Sequence, residues 1–501
     1  MHVAFRCDAS SRIGLGHVLR SLSLAQALAA AGATTSFLLR DSDVEAAARV
    51  RAAGFTAVRL PLPPVHEPGQ LTDADADARA SISALNGAPP AWVVADHYGL
   101  DARWHDALRD ALHCRLAVID DLADRPLAAD ALIDHNLLPS GTHRERYAAV
   151  LRLEPSRWLC GPRHALLGPA YADLPAFDVR EAVQRVGIFM GGTDPRAASA
   201  TVLAGCRAAG FEGHIDIVTT SAAPSLAALQ AAVAADGRAT LTLDLPDLAG
   251  FYARQDLLVG AGGGGAWERC AVGVPSLTLC VADNQRAVIP ALVAQGATVG
   301  ANDLTPAGVA TALRPLLADA GLRRRLSASA AALVDGWGAR RVALALLSQA
   351  GCLPTLRAAT MADAEALWRW RNHAATRAVS RQQGEIPLAS HRQWLQRLLD
   401  AGRNRLSIAS IGALDVGVIR FDPLDAQPTA AWEVSLYLLP QLHGLGLGGL
   451  LLRAGELALR EAEGPLQVHA EVLAGNTASK RLFEAGGYRP QRDGHWIKPL
   501  G

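Results

Sequence analysis

Through about residue 350, short apolar or β-branched runs alternate with Ala/Leu-rich stretches of helical length, and no other feature restricts the fold as much. "HVAF", "TTSFLL", "AWVVAD", "RLAVID", "RVGIFM", "IDIVT" and "LLVGAG" read as strands. Strands separated by helices cannot pair as tight hairpins, so the rhythm predicts parallel sheets wrapped in helices. It breaks in a Pro-containing irregular stretch, 161–179, and restarts at "VQRVGIFMGGTDP" (183–195). The expectation is two Rossmann-like α/β halves, 1–165 and 166–350, with a cleft between them. Open sheets of this kind take ligands outside the carboxyl ends of their strands.

Around "SQAGCLPTLRAAT" (348–360) the texture changes to a Trp- and Arg-rich helix, then alternating strands, "RLSIASIG", "DVGVIRF" and "WEVSLYLL". That predicts a separate α+β module over 355–501. Lys+Arg and Asp+Glu balance at 48 each, so no global field draws in nucleic acid or an anionic membrane. No apolar run approaches the roughly 20 residues of a membrane helix. The seven cysteines are scattered, without a CxxC pair or metal-finger spacing, so no metal is expected and the thiols suit a reducing compartment. "MHVAFRCDAS" lacks the pattern of a secretory leader, and a cytoplasmic location is expected.

In the C-terminal module, "LYLLPQLHGLGLGGLLLRAGELALREA" (436–462) sets Gln441, Gly444, Gly446 and Gly448 between a strand and a helix. Glycines there let backbone N–H groups approach a pyrophosphate at a helix N-terminus, although a plain turn before a core helix explains such a loop equally well. With "NTASKRLFEAGGYR" (476–489) and the opening "LRAATMADAEALWRWRN", residues 355–498 resemble the GNAT acetyltransferase superfamily. The resemblance implies acetyl-CoA as co-substrate, with its pyrophosphate on the 441–449 loop. Its pantetheine and thioester would lie along Val434–Leu436, and Asn476 would stand beside the pantetheine. Two positions depart from the pattern: His443 precedes the first glycine, and Phe483 stands where the family's proton-donating tyrosine is usual. Tyr488 reads as packing. Glu433 suits a general base for an amino-sugar ammonium, or an ordinary strand carboxylate in a salt bridge.

Two glycine turns mark the second α/β half. "MGGTDP" (190–195) supplies Gly191, Gly192, Thr193 and Asp194, and "LLVGAGGGGAWERCAVGVPSLTL" (257–279) supplies Gly262, Gly263, Gly264 and Glu268. Two such turns favour a nucleotide site, with Glu268 placed to accept from ribose hydroxyls. In the first half, "IGLGH" puts Gly14 and Gly16 before His17, at the first strand-to-helix crossing. A dinucleotide loop would need a third glycine where Leu19 stands. A neutral imidazole there is suited to accept a proton from water, or it merely caps or packs in the helix.

"RCDASSRIGLGHVLRSLSLAQAL", "VVADHYGLDARW", "VIDDLADRPLAADALIDHNL", "MGGTDP", "GAGGGGAWERCAVGVPSLTL" and "ADNQ" occur in order over 1–345. Together they resemble the GT-B-like UDP-2,4-diacetamido-2,4,6-trideoxy-β-L-altropyranose hydrolases of pseudaminic acid biosynthesis. The resemblance implies that His17 activates the attacking water and that UDP sits near Gly191–Asp194 and Gly262–Glu268, with Asn284 and Gln285 beside it. Arg6, Asp8, Asp96, His97 and Tyr98 would line the sugar side. Gly264 and Gly265 replace a usual Ser/Thr pair. Asp120 and Asp121 read as turn or cap residues. The joint expectation is a bifunctional enzyme that takes a UDP-amino sugar and acetyl-CoA, N-acetylates the sugar and then hydrolyses it from UDP. A glycosyltransferase, or a catalytically dead nucleotide-sugar-binding protein, stands as the alternative.

Overall fold

A computed structural model of the chain describes residues 1–10, 14–41, 46–63, 73–138, 140–194, 196–402, 405–424, 430–492 and 494–501, and the side chains of these except 284 and 492. The chain divides into two compact units, Met1–Ala29 with Ala33–Val342, and Ala30–Gly32 with Ala343–Gly501. The division falls inside the helix Gly338–Gln349, ahead of the composition change near 352.

Besides a two-stranded sheet, Leu127–Ala128 with Leu151–Leu153, the first unit holds two large parallel sheets. One is built from β1 (His2–Cys7), β2 (Thr34–Leu39), β3 (Thr56–Arg59), β4 (Trp92–Asp96), β5 (Arg115–Ile119), β6 (Ala131–Asp134) and β7 (Arg157–Cys160), in the order β3-β2-β1-β4-β5-β6-β7. The other is built from β8 (Arg185–Phe189), β9 (His214–Thr219), β10 (Ala239–Leu243), β11 (Leu257–Ala261), β12 (Ser276–Leu279) and β13 (Val299–Ala301), in the order β10-β9-β8-β11-β12-β13. All seven strand readings of these halves fall on strands. Central strands such as β4 and β11 are buried along their whole length, which is why their sequences are continuous apolar runs without alternation.

Both sheets share one winding. The chain steps outward from its first strand, then returns to pair on that strand's other side, so the order reverses between β1 and β4 and again between β8 and β11. Loops leaving neighbouring strands at such a reversal turn to opposite faces of the sheet and leave a crevice at the carboxyl edge. This is the α/β architecture the sequence predicts, two Rossmann-like halves in series.

Four helices of the first unit bear on its sites: α1 (Gly16–Ala30), α2 (Ala102–Leu112), α3 (Ala198–Ala208) and α4 (Gly264–Val272). Trp104 of α2 lies fully buried with Leu100, Leu108 and Leu116 in the core beneath the first sheet, a burial worth roughly 2–3 kcal/mol for a side chain of that size.

The second unit is a mixed sheet of β14 (Thr355–Ala358), β15 (Arg405–Ile411), β16 (Leu414–Pro423), β17 (Ala431–Leu438), β18 (Leu466–Glu471), β19 (Arg489–Arg492) and β20 (His495–Leu500), ordered β14-β15-β16-β17-β18-β20-β19. Its helices include α5 (Ala364–Asn372), α6 (Leu388–Ala401), α7 (Leu447–Glu463) and α8 (Thr477–Ala485). Every pairing is antiparallel except β17 with β18. That parallel pair is short, from Ala431–Val434 against Gln467–Ala470, whereas β17 stays paired with β16 as far as Leu438. Beyond Val434 the two strands part.

Candidate active sites

At the reversal of the first sheet, the chain leaves β1 and closes a small bridge, Gly14 N–H to Ser10 C=O at 2.7 Å. Gly14 has φ +78°, a conformation that side-chain-bearing residues rarely adopt, and the bridge delivers His17 into the first turn of α1. His17 Nδ1 lies 2.6 Å from Oδ1 of Asp96, the last residue of β4. Arg20, one helical turn on, grips the same carboxylate through Nε to Oδ2 at 2.7 Å and Nη2 to Oδ1 at 2.5 Å. Ser21 Oγ adds a longer bond to Oδ2, 3.3 Å.

Burial pushes the Asp96 carboxyl up, but Arg20 and His17 outweigh it and hold the group well below the usual carboxylate range. An anionic acceptor at 2.6 Å requires that Nδ1 of His17 carry the proton, even with Arg20 Nη2 at 3.1 Å from the same nitrogen. The basic lone pair therefore sits on Nε2, which has no hydrogen-bond partner among the described residues. The Tyr98 ring packs edge-on to His17, centroids 4.7 Å apart, and its hydroxyl donates to Asp121 Oδ1 at 2.6 Å. Arg20 and Asp121 were not singled out as site residues from sequence. Arg20 was signalled by its i+3 spacing from His17; Asp121 is tied to the pair by Tyr98 and by Arg20, whose Nη1 lies 3.8 Å from Asp121 Oδ2. Asp120, in contrast, is a turn residue, accepting from Leu122 and Ala123 N–H and pairing with Arg125.

Arg6 and Asp8, read from sequence as lining the sugar side, are buried and engaged by neighbouring charges. Arg6 is fully buried and forks onto Asp77, at 3.1 and 2.7 Å, with a further bond to Asp8 at 2.8 Å. Arg40 and the Trp104 indole also reach Asp77, and His97 Nε2 lies 3.2 Å from Asp8. Burial raises Asp77, but Arg6 and Arg40 bring it down to about 2. These charges satisfy one another inside the sheet edge and brace the loops after β1 and β4. Asp96 is likewise 1% exposed, with both carboxylate oxygens engaged by His17 and Arg20.

At the second reversal, the turn after β8 carries Gly191 at φ +96° and Gly192, whose carbonyl accepts Thr220 Oγ1 at 2.6 Å. Thr193 is half-buried beside them. Asp194 is 2% exposed and caps α3, accepting from Ala198 N–H at 2.8 Å and Ser199 N–H at 2.9 Å, so its carboxylate is not offered to a ligand. After β11, a Cβ on Gly262 would strike Ile289 at 2.7 Å, whereas one on Gly264 would meet nothing within 4 Å. Gly262 is thus a packing glycine. Gly263 is the N-cap of α4 without any side-chain cap, which leaves the helix's first N–H groups available to an anion. Gln285 braces this loop from behind, its Oε1 accepting from Gly262 N–H at 3.2 Å and Val281 N–H at 3.0 Å. The side chain of Asn284 lies outside the described residues. Glu268, half-buried on α4, accepts from Tyr252 at 3.1 Å, and burial raises its carboxyl. His135, just past β6, meets Trp267 of α4 edge-on at 6.1 Å.

In the second unit, the strand parting leaves Ser435–Leu438, including Leu436, without β18 partners, with Val434 at its apex. Past β17, Gln441 lies in a 3-10 turn, and Gly444 and Gly446 have φ +84° and +77°. Gly446 caps α7 with no side-chain partner, and Cβ atoms on Gly444 or Gly449 would meet nothing within 4 Å, so the approach to the helix's N–H groups is open. Gly448 faces Leu482. Asn476 caps α8 through Oδ1, which accepts from Ser479 N–H at 3.0 Å. Phe483 and Tyr488 are both buried, packed edge to face at 4.9 Å. Glu433 is ion-paired: Arg381 Nη2 lies 2.5 Å from its Oε1 and 2.5 Å from Oε2 of Glu471. Among the described residues, no cluster of three or more His, Cys, Asp or Glu side chains is placed to hold a metal ion, and no helix is long and apolar enough to cross a membrane.

Residues 355–489 match the acetyltransferase (GNAT) domain family. Over 349 residues, 68% of this chain and 96% of the relative, the chain is 22% identical to the spore coat polysaccharide biosynthesis protein SpsG of Bacillus subtilis (strain 168). Among solved structures it is similar to Acinetobacter baumannii MurG, with TM-score 0.49 and 15% identity over 69% of this chain and 99% of that one. It is also similar to the aminoglycoside acetyltransferase AAC(6')-Ib in complex with coenzyme A, with TM-score 0.26 and 21% identity over 29% and 94%. By the family match, residues 355–489 of the second unit form a GNAT acetyltransferase domain, which follows two Rossmann-like halves in the sequence.

Proposed function

We propose that the chain is a bifunctional sugar-nucleotide enzyme of pseudaminic acid biosynthesis. The GNAT domain transfers acetyl from acetyl-CoA to the 4-amino group of a UDP-4-amino-4,6-dideoxy-acetamido sugar. The first unit then hydrolyses the UDP-2,4-diacetamido-2,4,6-trideoxy product to free sugar and UDP. The observation that carries the hydrolase reading is His17 locked in one tautomer by Asp96 at the reversal of the first sheet. Nε2 takes a proton from water as the water oxygen attacks the anomeric carbon, the C–O bond to the β-phosphate breaks, and UDP departs as a stable anion without a strong acid. Tyr98 and Asp121 line the sugar side. The amides at Gly191–Thr193 and Gly263–Gly264 take the diphosphate, and Glu268 takes the ribose hydroxyls, while Asp194 and Gln285 hold those loops in shape. On the acetyl side, the open N-terminus of α7 receives the acetyl-CoA pyrophosphate and the parted strands receive its pantetheine arm. The relative named for spore coat polysaccharide biosynthesis supports a carbohydrate setting. Nothing in this reading calls for a metal, nucleic acid or membrane, and a cytoplasm with reduced thiols suits the seven free cysteines.

The test follows anomeric protons by NMR while the protein is incubated with the UDP-4-amino sugar, with and without acetyl-CoA. The expected result is acetylation first, then UDP release that depends on acetyl-CoA. UDP released at the same rate without acetyl-CoA would overturn the order of steps. UDP release that requires an added sugar acceptor would make the first unit a glycosyltransferase, and no turnover at all would make it a binding protein. His17→Ala should abolish hydrolysis, and Asp96→Asn should lower its kcat by about 10²–10⁴-fold with KM little changed.

A further inference from the structure

The GNAT domain lacks a tyrosine where the thiolate would need a proton donor, and its expected base, Glu433, is engaged by an arginine. Both facts point to the strand parting. Cross-strand register places Asp422 opposite Glu433, and Glu433 opposite His469, so the three side chains form a row on one sheet face across β16, β17 and β18. Glu471 follows two residues after His469 on the same face, opposite His495 of β20. The row lies at the apex of the parting, one residue from the last β17–β18 pair, Val434 with Ala470. Two features there are unusual. The Arg381 guanidinium bridges Glu433 and Glu471 while more than half exposed itself, and Nε2 of His469 is buried without any hydrogen-bond partner.

We propose that the acceptor amine docks by displacing Arg381 from Glu433 and Glu471, and that His469 Nε2 takes its proton. This rests on the acetyltransferase reading above. Two carboxylates sharing one exposed guanidinium form a seat for a single cation, and exposed ion pairs of that kind are weak enough for a substrate ammonium to replace. Among the described residues, the same sheet face also carries Asp422, paired with Arg420 at 2.8 Å, and His495. Burial lowers the His469 imidazole, while Glu433 opposes that and His495 adds to it.

The protons then balance without a tyrosine. The ammonium gives one proton to Nε2, and the free amine attacks the thioester carbonyl, forming C–N. The C–S bond breaks, and the sulfur leaves with the electron pair and takes the second proton from the new amide nitrogen. The imidazolium returns its proton to water. Amine salt and acetyl-CoA become amide, CoA thiol and one proton, and Phe483 is accounted for.

The experiment uses the full chain with acetyl-CoA and the UDP-4-amino sugar. His469→Gln should lower acetylation kcat about 100-fold or more with acetyl-CoA Kd unchanged, and should remove the acidic limb of the kcat/KM profile. Arg381→Ala should lower KM for the amine about two- to fivefold. A kcat within twofold of wild type for His469→Gln, or a raised KM for Arg381→Ala, overturns the proposal. If wild type acetylates nothing, the functional reading fails, and the seat is read by calorimetry and ring NMR instead. Arg381→Ala must then tighten the UDP-4-amino sugar but not UDP-N-acetylglucosamine, and adding the amine must move His469 carbon shifts toward imidazolium. The absence of either effect overturns it.

Discussion

Asp77 is the residue whose loss we expect to cost most. It is fully buried and takes Arg6, Arg40 and Trp104, so Asp77→Asn keeps the shape but leaves two buried guanidinium groups short of a counter-charge. Breaking a buried pair in this way costs roughly 3–5 kcal/mol, which urea denaturation would read directly. The sign of its pH dependence follows from the direction of its shift. A carboxyl lowered to about 2 in the fold adds stability in full above its ordinary value near ~4 and loses it as pH falls toward 2. The acid limb of the stability curve should therefore flatten in Asp77→Asn, and a limb of unchanged slope would sink this assignment. None of this network was legible in the sequence. Arg6 and Asp77 stand 71 residues apart, and nothing local distinguishes an arginine that meets a sugar from one that meets a buried aspartate. The place of His17 in the first turn of a helix was legible because glycines, a strand end and a helix start surround it. Its orienter was not, since Asp96 is 79 residues away.

At the scale of elements, the strands were readable because a doubly covered strand must be apolar throughout. The glycine turns were readable as turns, but their division of labour was not: Gly262 packs against Ile289 while Gly264 stands open, a difference set by a helix some twenty residues later. Asp194 and Asn476, read from sequence as ligand contacts, both accept from N–H groups in the first turn of a helix. Each precedes a Ser by a few residues in a stretch that begins a helix, and that local chemistry was the stronger signal. The parting of β17 and β18 has a measurable counterpart. Amides of β17 past Val434 that point toward β18 lack a ladder partner there, so they should exchange with deuterium quickly in the free protein. Acetyl-CoA should slow them at least tenfold. Equal exchange with and without it would place the co-substrate elsewhere.

For the whole molecule, balanced charge said little, while the doubled α/β rhythm said nearly everything about the architecture of the first unit. It could not say that both sheets would reverse at the same ordinal position. That shared winding has a kinetic consequence. β1 finds its second neighbour only when Val3 meets Trp92, and β8 only when Val186 meets Leu257, so each central pair must wait for two crossovers to close. Contacts of such sequence separation fold slowly. Refolding from urea, followed by tryptophan fluorescence, should show slow phases in which apolar strands stand with one edge bare. A nascent chain halted before Trp92 holds His2–Cys7 in that condition indefinitely. Such fragments should aggregate, whereas a chain carried through Ile119 should hold its first five strands in solution.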